Sequence, residues 1–358
     1  MATEIPKLLG SESIFMDSGA FSLYAINVAK SQGQEMMEGF DVVLKKRREG
    51  KAFAEFLKKD KLDPPPRRAR GDDYSYYSLS KGSEFRAYCD IYAKFMKLFA
   101  GRDITFATVD AIRNEELSWD IQKYFEEEHG LYPMPIVHGG TAARYLHRYL
   151  EEPKKYPLIG FGGLAGGVRP FIKWVDESFA DVCPKSNNYL PLVKVHGFAV
   201  TSWEYMIRWP WWSVDSTSWI KYAAYGWILV PPFSKGSFRY DLPPLQLNMS
   251  RKPTPRMHRS IRNKGKSPRQ QRDNHYDNTT KFVKEQTDRW LAHLKIPMGA
   301  FEKEEIVEEG VSSSFQARAI VNLHYFKNLE ESMPPWPVPL NRKLIQEGSV
   351  QYHRGFGL

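Results

Sequence analysis

Only two cysteines, Cys89 and Cys183, occur in 358 residues, and they stand far apart. Alone they cannot build a disulfide framework or a Cys-x-x-Cys metal site, which fits a reducing compartment. No run approaches the roughly 18 apolar residues of a membrane span, so no membrane or lipid partner is expected. The start, Met1-Ala-Thr-Glu-Ile-Pro-Lys7, lacks an apolar signal core, and a soluble cytoplasmic protein is expected. No internal repeat is visible. Acids are missing from one long stretch, Arg251 to Arg272.

What is present is a chain long enough for one large domain or a domain with an appendage. Lys and Arg number 51 against 42 Asp and Glu, a net charge of +9. That excess suits a polyanionic partner or a merely basic soluble protein. Short apolar runs alternate with helical patterns. Strands are expected at Ser13 to Met16, Asp103 to Asp110, Met134 to Gly140, Pro157 into the glycines near 163, Leu192 to Ala199, and Ser213 to Asp215. Two more are expected at Gly226 to Val230 and, more weakly, Leu245 to Met249. Helices are expected over 24–30, 38–59, 84–100, 115–128, 141–151, 171–179, 282–294 and 313–329. Asp63-Pro-Pro-Pro-Arg-Arg-Ala-Arg70 breaks a helix and makes a basic loop, either a nucleic-acid contact or a solvated connector.

Alternation of this kind argues for parallel βα units, and buried parallel strands read as continuous apolar runs. Eight strands fit an α/β fold of the (β/α)8, TIM-like barrel type, whose site lies at the C-terminal strand ends. Asp17, Asp110, His138, Gly163, His196 and Asp215 all fall at such ends. The expected layout is a barrel over 1–250, a basic arm over 251–280, and C-terminal helices and tail over 281–358. Two carboxylates facing one sugar carbon can run glycosyl transfer with retention: one attacks C1′, the other shuttles protons. Asp215 is the expected nucleophile and Asp17 the acid/base. The arm, with Arg251, Lys252, Arg256, Arg259, Arg262, Lys264, Lys266, Arg269 and Arg272, is a candidate phosphate grip or a solvated basic linker. Trp203, Trp209, Trp211, Trp212 and Trp219 crowd the Asp215 strand, to stack on a base or to pack the fold.

Three motifs sharpen this. Asp17-Ser-Gly-Ala-Phe21 resembles the Asp-Ser-Gly-Gly-Phe motif of tRNA-guanine transglycosylases. Ile136-Val-His-Gly139 resembles their Ile-Val-Gln-Gly, and Gly162-Gly-Leu-Ala-Gly166 their Gly-Gly-Leu-Ala-Val-Gly. Val195-His-Gly-Phe-Ala-Val-Thr201 with Ser213-Val-Asp-Ser-Thr-Ser-Trp219 is more similar to the DNA branch of that superfamily, the 7-deazaguanine DNA transglycosylases of phages and bacterial modification clusters. The resemblance covers roughly residues 13 to 220. It implies that guanine in DNA is exchanged for a free 7-deazaguanine base such as preQ0 through a covalent Asp215 intermediate, with no cofactor. A phage-encoded enzyme would work in the host cytoplasm. The resemblance also implies that Asp110 reads the N1/N2 edge of guanine, that His138 stands where the family's glutamine meets the base, and that Gly163 and Leu164 form the base-contacting loop. His196 is counted with the base pocket.

The chain departs from the tRNA enzymes in lacking their zinc-binding cysteine cluster; Val321-Asn-Leu323 resembles their His-Asn-Leu with the ligand replaced. No metal site of that type is expected. Little chain precedes Asp17, so Trp227 to Val230 and Leu245 to Met249 are expected to complete a permuted barrel. Exchange on tRNA is the second choice. A metal-dependent barrel hydrolase using His138, His196 and Asp215, or a non-catalytic nucleic-acid-binding module, are the remaining alternatives.

Overall fold

Apolar runs without polar alternation, such as Leu158-Ile-Gly-Phe-Gly162, suit strands covered on both faces, and they form the middle of the sheet. In a computed structural model, residues 14–16, 77–101, 104–111, 114–164, 169–200, 202–215, 217–251, 275–302 and 305–341 are described. Asp17, the expected helices over 24–30 and 38–59, the loop over 63–70, and the arm from Lys252 to Arg272 lie outside them. The described chain is mixed α/β, with eight α-helices among those residues. It divides into two compact units.

The first unit comprises Met1–Val200, Tyr205–Asp215 and Trp336–Leu358. It runs β1 (Ile14–Met16), α1 (Glu84–Lys97), β2 (Ile104–Phe106), α2 (Glu115–His129), β3 (Ile136–His138), α3 (Ala143–Leu150), β4 (Leu158–Gly162), α4 (Ile172–Val182) and β5 (Lys194–Gly197). The chain then passes through α5 (Trp203–Arg208) to β6 (Ser213–Val214). Strands β3, β4, β5 and β6 form a parallel four-stranded sheet in that order. β1 pairs parallel with β2, and a single parallel bridge, Ala107 with Met134, carries the pairing from the end of β2 to the approach to β3. Each strand therefore follows its sequence predecessor across the unit.

The helices stop and start where their ends are satisfied. Ser83 accepts from the Arg86 N–H at the start of α1, and Asn114 accepts from Leu117 at the start of α2. Gly130, at φ +64°, ends α2 in the left-handed conformation that glycine adopts without a Cβ penalty. The helical spacing read from the sequence of α1 buries Phe85, Tyr88, Ile91, Tyr92 and Phe95, whereas Leu98 falls at the C-cap and is exposed. Tyr92 meets Phe106 and Phe125 edge-on and donates its hydroxyl to the Ala107 carbonyl, which fixes α1 over the end of β2. A bidentate pair joins α4 to α5: Arg208 donates from Nε and Nη2 to the two oxygens of Asp176, and Trp209 Nε1 donates to the same carboxylate.

The second unit comprises Thr201–Glu204 and Ser216–Pro335. It contains α6 (Ser218–Ala224), β7 (Trp227–Val230), a short hairpin β8 (Phe233–Ser234) and β9 (Ser237–Phe238), β10 (Leu245–Asn248), α7 (Lys281–Leu294), a second hairpin β11 (Ala300–Glu302) and β12 (Glu305–Glu308), and α8 (Phe315–Ser332). β7 and β10 were the strands expected to complete a permuted parallel barrel, and this is corrected: they pair with each other, antiparallel. The link between them explains it. A parallel return needs a crossover, usually a helix, but residues 231–244 hold only the hairpin. Lys235 and Gly236 both take positive φ at its tip, the twist a two-residue hairpin turn requires.

Asn322, fully buried on α8, locks this unit. Its Oδ1 accepts from the Leu229 N–H at 2.8 Å, and its amide donates to the carbonyls of Trp219 and Trp227. Arg318, one turn earlier, donates to the Ala223 carbonyl at the end of α6 and to that of Val311. A cation suits a helix C-terminus, although burial lowers this guanidinium's pKa to about 10.

Candidate functional site

The ends of β2, β3 and β4 bring one polar cluster together. His138 is the last residue of β3, and only 3% of its side chain is exposed. Its Nε2 lies 2.7 Å from Asp110 Oδ2, and its Nδ1 lies 2.8 Å from Glu115 Oε1. Burial disfavours a charged ring here, but the two carboxylates outweigh it and push the His138 pKa up to about 10. Asp110 retains 19% exposure, and among the described residues its one partner is His138. His138 was expected to face a base directly. Both of its nitrogens are occupied by carboxylates, so Asp110 is the group of this cluster that is left to meet a ligand.

Glycines make the cluster possible. A Cβ on Gly162 would sit 2.8 Å from Ile136 Cγ2 and 3.3 Å from His138 Cδ2. Gly163 takes φ +70°, as the turn out of β4 demands, and is exposed. Leu164 turns its side chain inward and is fully buried, its Cδ2 filling the space that a Cβ on Gly139 would need.

The ends of β5 and β6 hold a second cluster. Asp215 directly follows β6, and its side chain is 42% exposed. Its Oδ1 accepts from the Ala199 N–H at 2.8 Å. Ala199 itself takes φ +61°, a conformation that side-chain-bearing residues rarely adopt. His196 Nε2 is 3.9 Å from the same oxygen, too far for a hydrogen bond, while its Nδ1 lies 2.7 Å from Ser213 Oγ. The structure thus brings Asp110 to His138 and His196 near Asp215; no hydrogen bond joins Asp110 or His138 to Asp215.

Sequence reading missed Glu115 and Ser213. Glu115 opens α2 beside Glu116, where acids are ordinary first-turn residues. The one signal for Ser213 is its place two residues before Asp215 on a strand pattern. The tryptophans mainly pack. Trp209 stacks on Phe179 and Tyr205, Trp211 meets Phe161 and Phe179 edge-on, and both indoles donate within the unit. In the second unit, Trp203 is buried and donates to the Tyr240 carbonyl, while Trp219 is half-buried on α6. Trp212 is half-buried with Lys194 Nζ 4.5 Å above its ring. Of the basic arm, Arg251 alone is described, and it pairs with Asp277 at 3.1 Å.

Among the described residues no group of three or more His, Cys, Asp or Glu is arranged to hold a metal ion, the trio His138, His196 and Asp215 included. No described helix is long and apolar enough to cross a membrane. No family model, no curated protein and no solved structure matches the chain.

Proposed function

We propose that this chain is a DNA-guanine transglycosylase, built on a (β/α)8-type barrel. It exchanges guanine in DNA for a free 7-deazaguanine base such as preQ0. The Asp215 carboxylate attacks C1′ and the N-glycosidic bond breaks. Guanine leaves with a proton from Asp17, and Asp215 is left esterified to the sugar. Asp17 then takes the proton from the incoming base, whose nitrogen attacks C1′ and frees Asp215. One glycosidic bond is broken and one made, so no cofactor is consumed. Asp110 accepts from the N–H donors of the base edge, since a carboxylate can take two adjacent donors.

The observation that carries this reading is the position of Asp215: a half-buried carboxylate just past the last of four sequential parallel strands, its Oδ1 accepting from a backbone N–H. Strand ends are where α/β folds of this type assemble their sites. The run of strands from β1 to β6 in sequence order supports the barrel, although β7 and β10 do not extend it. A target in duplex DNA would have to leave the stack to reach such a site.

The test is adduct trapping. Full-length protein incubated with guanine-containing DNA is expected to give a covalent protein–DNA species that Asp215→Asn abolishes. Mass spectrometry of nucleosides from DNA treated with preQ0 should show the deazaguanine nucleoside. Label from free guanine appearing in tRNA and not in DNA would move the substrate to tRNA; an adduct that persists in Asp215→Asn would remove the nucleophile assignment.

A further inference from the structure

We propose that Glu115 is a positioning residue of the base pocket: it holds His138 as an imidazolium and, through that ring, fixes Asp110 as the acceptor that meets the base. The part concerning the base rests on the transglycosylase reading. The part concerning Glu115 and His138 does not.

The argument is one of donors and acceptors. A neutral imidazole carries one N–H and one lone pair, while an ionised carboxylate only accepts. His138 has carboxylate oxygens at 2.8 Å from Nδ1 and 2.7 Å from Nε2. A neutral ring would therefore set a lone pair against one of them, inside a site where the ring has almost no contact with water. A doubly protonated ring donates to both, and such charge-assisted bonds are roughly twice as strong as neutral ones. The raised pKa of His138 agrees with this.

The other neighbours do not compete. On the β4 side the ring faces Gly162 and Gly163, which carry no charge. From α3, Tyr149 is an ionisable neighbour of Glu115, and burial keeps its phenol protonated. Glu115 is itself buried behind the ring, so it acts through His138 and not on a ligand. Anchored at both nitrogens, the ring cannot turn without losing both bonds. Asp110 Oδ2 is thereby fixed, and Oδ1, which has no partner among the described residues, is left for the ligand.

Glu115→Gln tests this, because an amide can donate to Nδ1 as well as accept from it and so permits a neutral ring. The measurement is 15N–1H NMR of histidine side chains in the full chain, with His138→Gln identifying the signal among nine histidines. The wild type is expected to keep both ring N–H protons through pH 8. Glu115→Gln should lose one over that range, and Glu115→Asp should restore it. In parallel, KM for free guanine is expected to stay flat from pH 6 to 8 in the wild type and to rise on the order of tenfold in Glu115→Gln, with kcat little changed. Two protons retained in Glu115→Gln, or a neutral ring in the wild type at pH 8, would overturn the proposal. A wild type with both protons and no base exchange would instead sink the enzyme reading and leave the Glu115–His138 coupling standing.

Discussion

His138 ties protonation to folding. Its pKa is about 10 in the folded chain against an ordinary 6.5, because two carboxylates overcome the cost of burial. The folded state thus holds the proton more tightly than the unfolded state. The stabilisation is complete below about pH 6.5 and is lost as pH rises through about 10. Urea unfolding of the wild type should therefore weaken between those limits more steeply than that of His138→Gln; parallel curves would refute the coupling. Asp110, His138 and Asp215 were legible in the sequence as polar residues that stop apolar runs. Glu115 was not. It and Glu116 look alike in the first turn of α2, yet Glu115 turns inward to His138 while Glu116 reaches Arg148 through two bonds at the surface. Only the packing of α2 against β3 decides between them. Ser213 was hidden in the same way, since its partner His196 lies on the neighbouring strand.

Elements were more legible than contacts. Apolar runs identified β1 to β7 and β10, and periodicity identified α1 to α4, α7 and α8, because burial imposes those patterns. The short α5 and α6 were missed: aromatic-rich stretches of fewer than two full turns carry too little periodicity. The direction of β7 and β10 was missed because direction depends on the connection, not on the strand. One inter-element contact is open to direct test. Arg208 is 4% exposed and donates to both oxygens of Asp176, so Asp176→Ala leaves a buried, unpaired guanidinium. A loss of about 3–5 kcal/mol is expected, read from the denaturant midpoint. Loss below about 1 kcal/mol would mean that water reaches the site.

The whole chain carries +9, and its densest basic stretch runs from Arg251 to Arg272. If that stretch is a phosphate grip and not a solvated linker, affinity for DNA should fall steeply with salt, by a log–log slope of about −0.9 per phosphate neutralised. Replacing Arg256, Arg259 and Arg262 by Gln should flatten that slope as well as weaken binding. An unchanged slope across a salt series would assign the stretch to a solvated linker.

In the first unit, every strand after β1 sits beside the one made just before it. Such a sheet can be laid down in the order in which a ribosome releases it, each new strand meeting a finished edge. β6 comes last, and Asp215 comes with it. The carboxylate proposed as nucleophile is therefore the last strand-end acid that this sheet receives, and a nascent chain ending before Ser213 would carry the Asp110–His138 cluster without it, while the unit itself is finished only when Trp336–Leu358 has been made.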